Sequence, residues 1–212
     1  MKFQSFLDNI PNIQQQKLLG ETSHLKMCPP ERADLMKNID FDNINPKLAA
    51  VLMLIYPKNF VAHLALILRT SYNGVHSSQI AFPGGKVETF DIDYQQTALR
   101  ETHEEIGISP ELINVIRDFT PIYIPPSNFM VYPFLGYSTT ELSFIPDQDE
   151  VAGIIELPLS EFLDDNIVIT NRMSTSYNND IDVPAFKIQN HIVWGATAMM
   201  LSELKDVFRN VV

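Results

Sequence analysis

Cysteine is nearly missing from this chain. The 212 residues hold one, Cys28, so an internal disulfide is excluded, and a reducing, cytoplasmic setting is the simplest expectation. Nothing near Cys28 in sequence would lower its pKa, so it reads as a structural bystander. Basic residues are scarce as well: 15 Lys and Arg stand against 26 Asp and Glu, a formal net charge of −11. That balance argues against binding along a nucleic acid backbone, which needs a basic face. Long apolar runs are lacking, so no membrane span is expected. The opening Met1-Lys2-Phe3-Gln4-Ser5 has no apolar core of the signal-peptide kind. Repeats, low-complexity tracts and a clear domain linker are missing too. What remains is an apolar content of 45%, enough for one buried core, or one domain with an added arm.

Taken in order, residues 1–46 say least. Phe3, Phe6, Leu7 and Ile10 recur at near-helical spacing, and Glu31 to Ile39 could form a short helix after Pro29-Pro30. They read as an N-terminal helical arm that packs on the domain or on a second subunit, which leaves a homodimer open. Leu48 to Tyr56 and Phe60 to Leu68 are continuous apolar runs around Pro57-Lys58-Asn59, the pattern of a hairpin buried on both faces. Thr70 to Gln79 reads as a loop and Ile80-Ala81-Phe82 as a short strand leading into Pro83-Gly84-Gly85. Further strands are expected over Leu112 to Phe119, Phe129 to Tyr137 and Val151 to Leu157, and a hairpin over Phe186 to Trp194 with Trp194 in the core. A proline-rich loop, Pro121 to Asn128, joins the first two, and Pro158 to Leu163 forms a short helix. From Gly195 onward Ala198, Leu201, Leu204 and Phe208 share a helix face. Strands mixed with a few helices give an α+β or mixed α/β fold.

The most informative stretch is Gly85 to Ile108. Asp93 is placed to cap a helix with Gln96 as its capping-box partner, and Gly107 to end it. Ala98, Leu99, Thr102 and Ile106 form the buried face. On such a helix Glu101, Glu104 and Glu105 point the same way. Carboxylates aimed at one place, facing a solvated site and without a neutralising partner nearby in sequence, suit a hard divalent cation such as Mg²⁺ or Mn²⁺. Glu101 and Glu105 are the main expected ligands, Glu104 a third and the Gly85 carbonyl a fourth. Arg100 is expected to turn away and pair with Asp91 or Glu88, and His103 to face away from the acids. Arg69, His76, Gln79 and Lys86 flank the glycine turn and offer donors for phosphate oxygens. A polyphosphate would otherwise be repelled by the chain's mean negative field.

Gly84-Gly85, the acidic loop, Arg100-Glu101, Glu104-Glu105 and Gly107 together resemble the Nudix box, with Thr102 at a position that is usually aliphatic. Leu66 to Ser71 followed by His76 to Gly85 is similar to the signature that precedes the box in the coenzyme A diphosphatase branch. There is one extra residue between Gly85 and Arg100, and that branch shares it. Ser78 stands where the branch usually has glycine. Val193 to Ala198 also resembles a segment of this branch, and the likeness runs from about Leu48 to Phe208. The resemblance implies a Nudix α/β/α sandwich with a mixed sheet over residues 47–212. It implies metal-dependent hydrolysis of coenzyme A or its thioesters to 3′,5′-ADP and 4′-phosphopantetheine. It also implies a glutamate on a later loop, here Glu150, as catalytic base beside Glu101 and Glu104. A diphosphatase for another substrate (ADP-ribose or NADH) and a non-catalytic nucleotide sensor stay open.

Overall fold

The structure is a computed structural model that describes residues 1–40, 43–70, 79–174 and 180–211. Its centre is strand β1 (Lys47–Lys58), whose side chains alternate between two cores. Ala49, Met53 and Ile55 point to one face of the sheet, and Ala50, Leu52, Leu54 and Tyr56 to the other. A strand buried on both faces has no polar alternation, so the sequence reads as one apolar run. Strand β2 (Val61–Arg69) returns antiparallel, with Ile55 opposite Leu64. The turn between them is Asn59-Phe60, both at positive φ (50° and 62°). Two such residues in a row match the twist of a two-residue hairpin. Pro57 and Lys58 therefore remain in β1, and the turn sits two residues later than the sequence suggested.

Around this pair the sheet runs β3 (Ile80–Ala81), β2, β1, β7 (Phe129–Tyr137), β5 (Asn114–Asp118). Strand β4 (Gly84–Lys86) pairs with β1, β6 (Ile122–Ile124) with β7, and β8 (Val151–Pro158) with β2. The β1–β7 pair is parallel and the others are antiparallel, so the sheet is mixed. A second, three-stranded sheet is formed by β9 (Val168–Met173), β10 (Ile181–Ile188) and β11 (His191–Val193). Helix α4 (Tyr94–Ile106) covers one face of the large sheet with Ala98 and Ile106. The other face is covered by α1 (Phe3–Gln15) and α6 (Gly195–Arg209) through Phe6, Ile13, Leu201, Leu204 and Phe208. This layering is the expected α/β/α sandwich.

The first residues are built into that core. Phe6 is fully buried, with its ring edge-on to Tyr137 at 6.0 Å and Phe208 at 6.2 Å. Helices α2 (Glu21–Leu25) and α3 (Pro30–Met36) follow, the first of them unforeseen in sequence. Polar contacts seat α2 on α6. Glu203 accepts from the Gly20 amide (2.8 Å) and the Thr120 hydroxyl (2.7 Å), while Asp206 accepts from Ser23 Oγ (2.5 Å) and Lys26 Nζ (2.7 Å). No helix among the described residues is long and apolar enough to cross a membrane.

Candidate active site

The site begins with two glycines in a strand. β4 lies against β1 with Gly84 opposite Val51 and Gly85 opposite Ala50. Gly84 has φ +148°, a region that favours glycine, and a side chain there would run into the Ala50 carbonyl and come within 2.6 Å of the Val51 Cα. At Gly85 the obstacle is Glu101. A Cβ would meet its carboxylate, with Cδ at 2.5 Å and Oε1 at 2.8 Å. Helix α4 is thereby pressed against the bare backbone of β4. Local sequence sets the helix ends as expected. Asp93 accepts from the Gln96 amide at 2.7 Å, and Gly107 takes a left-handed conformation (φ 73°) at the C-terminus. The Gln96 side chain binds the Ile92 amide rather than completing a strict capping box.

Neutralisation of the acids differs from the expectation, because two guanidiniums share them. Glu105 is only 1% exposed. Its Oε1 accepts from Arg69 Nη1 at 3.0 Å and its Oε2 from the Gly84 amide at 2.7 Å. Arg69 ends β2 at a register shift against β8, and its Nη2 lies 4.0 Å from Glu150. Arg100 binds Asp91 through Nε and Nη2 (both 2.9 Å) and the Lys86 carbonyl, as a loop-to-helix tie should. It does not turn away from the box, however: its Nη1 reaches Glu101 at 2.8 Å and Glu104 at 2.9 Å. Glu88 is near Lys86 (3.7 Å) instead. Among the described residues no three acidic, histidine or cysteine side chains stand ready around one point as metal ligands.

Burial pushes the Glu105 carboxyl up to about 7. Arg69 and the Gly84 amide oppose that rise, and Glu101 and Glu150 add to it. Burial raises Glu101 as well, against the pull of Arg100 and with a push from Glu104 and Glu150. The four glutamates thus feel one another's charge. Asp91 goes the other way: fully buried beside Arg100, and also accepting from Thr97 and the Glu88 amide, it is held well below the usual carboxylate range.

A cavity of about 760 Å³ opens beside this cluster, with Arg69, Gln79, Gly85, Lys86, Glu101 and Glu150 in its wall. Glu104 lies outside that wall, exposed on α4, as does the buried Glu105. His76 lies outside the described residues. The wall also includes residues that no motif in the sequence singles out: Arg32 of α3 and Ile124, Phe129 and Thr197. Trp194 joins them, half-buried at the cavity rather than in the core. No local pattern marks these positions, because chain segments far apart in sequence bring them together.

Comparison with known proteins decides the family. A profile of the NUDIX domain matches residues 46–175. The chain is 34% identical over 170 residues to an uncharacterized Nudix hydrolase NudL of Enterobacter sp. (strain 638), an overlap covering 77% of this chain and 83% of the relative. The chain belongs to the Nudix family. It is also 32% identical to Nudix hydrolase 15, mitochondrial, of Arabidopsis thaliana over 79% of this chain and 61% of that one. Among solved structures, the Mycobacterium smegmatis (M. Smegmatis) Nudix hydrolase RenU superposes with a TM-score of 0.54 at 14% identity, covering 79% of this chain and 88% of that chain. The fold likeness is therefore independent of close sequence. As a Nudix hydrolase the protein falls among enzymes that bind small nucleotide substrates and generally use divalent cations. The donor set here is of the kind such an ion takes, although among the described residues it is not gathered around one point. It is all oxygen, it carries mutual repulsion, and in Glu101 it holds a carboxylate seated where a Gly85 side chain would be.

Proposed function

We propose that this Nudix hydrolase cleaves the diphosphate bond of coenzyme A or its thioesters, releasing 3′,5′-ADP and a 4′-phosphopantetheine. The observation that carries the reading is Arg69. It is the arginine of the Leu66-to-Gly85 stretch that resembles the coenzyme A diphosphatase signature, and it lies in the same cavity wall as Glu101 and Glu150. A cavity of about 760 Å³ is within the range of small-molecule sites. On this reading Glu101 and Glu105 hold the divalent cation, with Glu104 and the Gly85 carbonyl completing the set. The chemistry such an ion supplies when bound is charge neutralisation on phosphate oxygens and a lowered pKa for water. Arg69, Gln79 and Lys86 donate to the diphosphate and hold it in line. Glu150, exposed at the start of β8, takes the proton of the attacking water. Arg100 acts at one remove, fixing Glu101 and Glu104 to the loop that carries Asp91.

The test is turnover of coenzyme A, an acyl-coenzyme A, dephospho-coenzyme A, ADP-ribose and NADH in Mg²⁺ or Mn²⁺, with product identification. Coenzyme A should lead. One charged hydrogen bond to its 3′-phosphate contributes about 1.5–3 kcal/mol, or about 10- to 150-fold in kcat/KM. Equal kcat/KM for coenzyme A and ADP-ribose would remove the substrate assignment and leave the hydrolase standing. Full turnover after dialysis against EDTA would remove the metal assignment.

A further inference from the structure

Lys86 and Arg32 mark opposite ends of one row across the sheet. Lys86 of β4 lies opposite Ala49 of β1, Ala49 opposite Val131 of β7, and Val131 opposite Ile122 of β6. Next along β6 is Tyr123, whose carbonyl accepts from Arg32 Nη2. That bond fixes the guanidinium at the β6 edge, three strand spacings from β4, or roughly 14 Å. The cavity follows the same row, with Lys86, Ala49, Val131 and Arg32 in its wall and Ile124 and Phe129 adding apolar surface at the β6 end. The Glu101 carboxylate lies against Gly85 at the β4 end. A diphosphate seated there is beyond the reach of Arg32, whereas a second anionic group on the same substrate is within it.

The two ends also differ in origin. Arg69, Lys86, Glu101 and Glu150 lie inside residues 46–175, which match the NUDIX domain, while Arg32 precedes them on α3. The groups assigned to the diphosphate are thus the domain's own, and Arg32 is brought to the cavity by the N-terminal arm. Its side chain is 3% exposed, and taking a charge out of water is costly. A neutral amide would hold the Tyr123 carbonyl as well. A guanidinium adds positive charge at that end of the cavity, and its fork of donors can hold a carbonyl and a phosphate together. We propose that Arg32 is a specificity-determining residue that receives a phosphate monoester carried on the nucleoside, the 3′-phosphate of coenzyme A, while the diphosphate lies at the β4 end. The proposal rests on the coenzyme A reading above and adds the residue that selects for it. The apolar stretch between the two ends is where the sugar and base cross.

The test is calorimetric binding of 3′,5′-ADP and 5′-AMP, which differ only in that phosphate, to wild type, Arg32→Gln and Lys86→Gln. Wild type should bind 3′,5′-ADP about 10- to 150-fold more tightly, the effect of one charged hydrogen bond. Arg32→Gln should abolish that ratio and leave the affinity for 5′-AMP unchanged. Lys86→Gln, at the other end, should weaken both ligands alike and preserve the ratio. Equal affinity of wild type for the two ligands would overturn the proposal, and this comparison needs no variant to fold. A ratio that survives Arg32→Gln would overturn it too. So would an equal loss for both ligands in that variant, which would show that Arg32 only braces the wall. Turnover keeps the proposal distinct from the reading it rests on. If ADP-ribose is cleaved as fast as coenzyme A while 3′,5′-ADP keeps its Arg32-dependent advantage, the coenzyme A assignment fails and the phosphate site stands.

Discussion

At the scale of single residues, two positions in the site separate stability from activity. At Gly85 an added methyl would strike the far end of the Glu101 side chain rather than backbone. The carboxylate can yield, so Gly85→Ala should fold with Tm changed by only a few degrees. Displacing a reactive group by about 1 Å is enough to lose about 10²-fold in rate, and kcat/KM should fall by that order. A large Tm loss with kcat/KM scaled to the folded fraction would show that Gly85 serves the fold alone. Asp91 is the reverse case. Its charge, buried against Arg100, holds the loop to α4. Asp91→Asn keeps the shape but loses a charged hydrogen bond, about 1.5–3 kcal/mol, or on the order of 5 °C in Tm for a chain of this size. The pH dependence follows from the direction of its shift. Arg100 lowers the folded-state pKa below the unfolded value of about 3.9. The stabilisation is therefore fully present above about pH 4 and is lost as pH falls through the folded value. Melting curves of wild type and Asp91→Asn should converge below about pH 4. A constant gap down to the lowest pH at which both fold would rule out the charge as its origin.

At the scale of elements, legibility follows where the stabilising partner lies. The caps of α4 are local, so Asp93, Gln96 and Gly107 announce them in sequence. The β1–β2 pair is legible because burial on both faces leaves continuous apolar runs, and only the turn slipped, from Lys58 to Asn59-Phe60. Helix α2 and strands β4, β6 and β9 escaped notice because their support is distant, β4 being held by its pairing with β1 where its glycines read as a turn. Helix α2 has five residues and is held by Glu203 and Asp206 of α6. Strand β6 is three residues inside a proline-rich stretch and exists by pairing with β7. Strand β9 alternates between exposed and half-buried, with no fully buried position to mark it. The box acids were legible as a helix face, but their partner Arg69 stands 36 residues away from Glu105 and no spacing rule reaches that far. Helix α1 tests whether the first residues belong to the core. Removing the Phe6 ring deletes contacts to Tyr137 and Phe208 from a fully buried position. Phe6→Ala should destabilise by about 3–5 kcal/mol, which at about 2–4 °C per kcal/mol puts the loss of Tm near 10 °C. A loss under 2 °C would mean that α1 rests on the sheet without supporting it.

At the scale of the whole molecule, the net charge of −11 opposes the substrate that the site is built to hold. Close to the cavity the balance is mixed: Arg32, Arg69 and Lys86 face Glu101 and Glu150 in its wall. Far from it the surplus acid dominates, and a diphosphate carrying several negative charges approaches against the field. The two regimes separate by screening length, about 30 Å at 0.01 M salt and about 8 Å at 0.15 M. At low salt the whole chain repels the substrate. At physiological salt only the cavity's own groups act on it. With Mg²⁺ held saturating and counted in the ionic strength, kcat/KM should therefore rise as inert salt increases toward 0.15 M. Enzymes whose charge attracts the substrate show the opposite slope. The rise should appear in KM rather than kcat, because the field acts on encounter and binding, whereas in the proposed site the bound diphosphate is already surrounded by Arg69 and Lys86 of the cavity wall. A neutralising change far from the cavity supplies the control. Asp8 on α1 is exposed, accepts from the Gln4 side-chain amide and does not line the cavity, so Asp8→Asn should shift the low-salt kcat/KM slightly upward and leave the value at 0.15 M unchanged. A kcat/KM that falls steadily with salt would mean that the few cations in the wall govern approach as well as binding, and that the acidic surface plays no part in it.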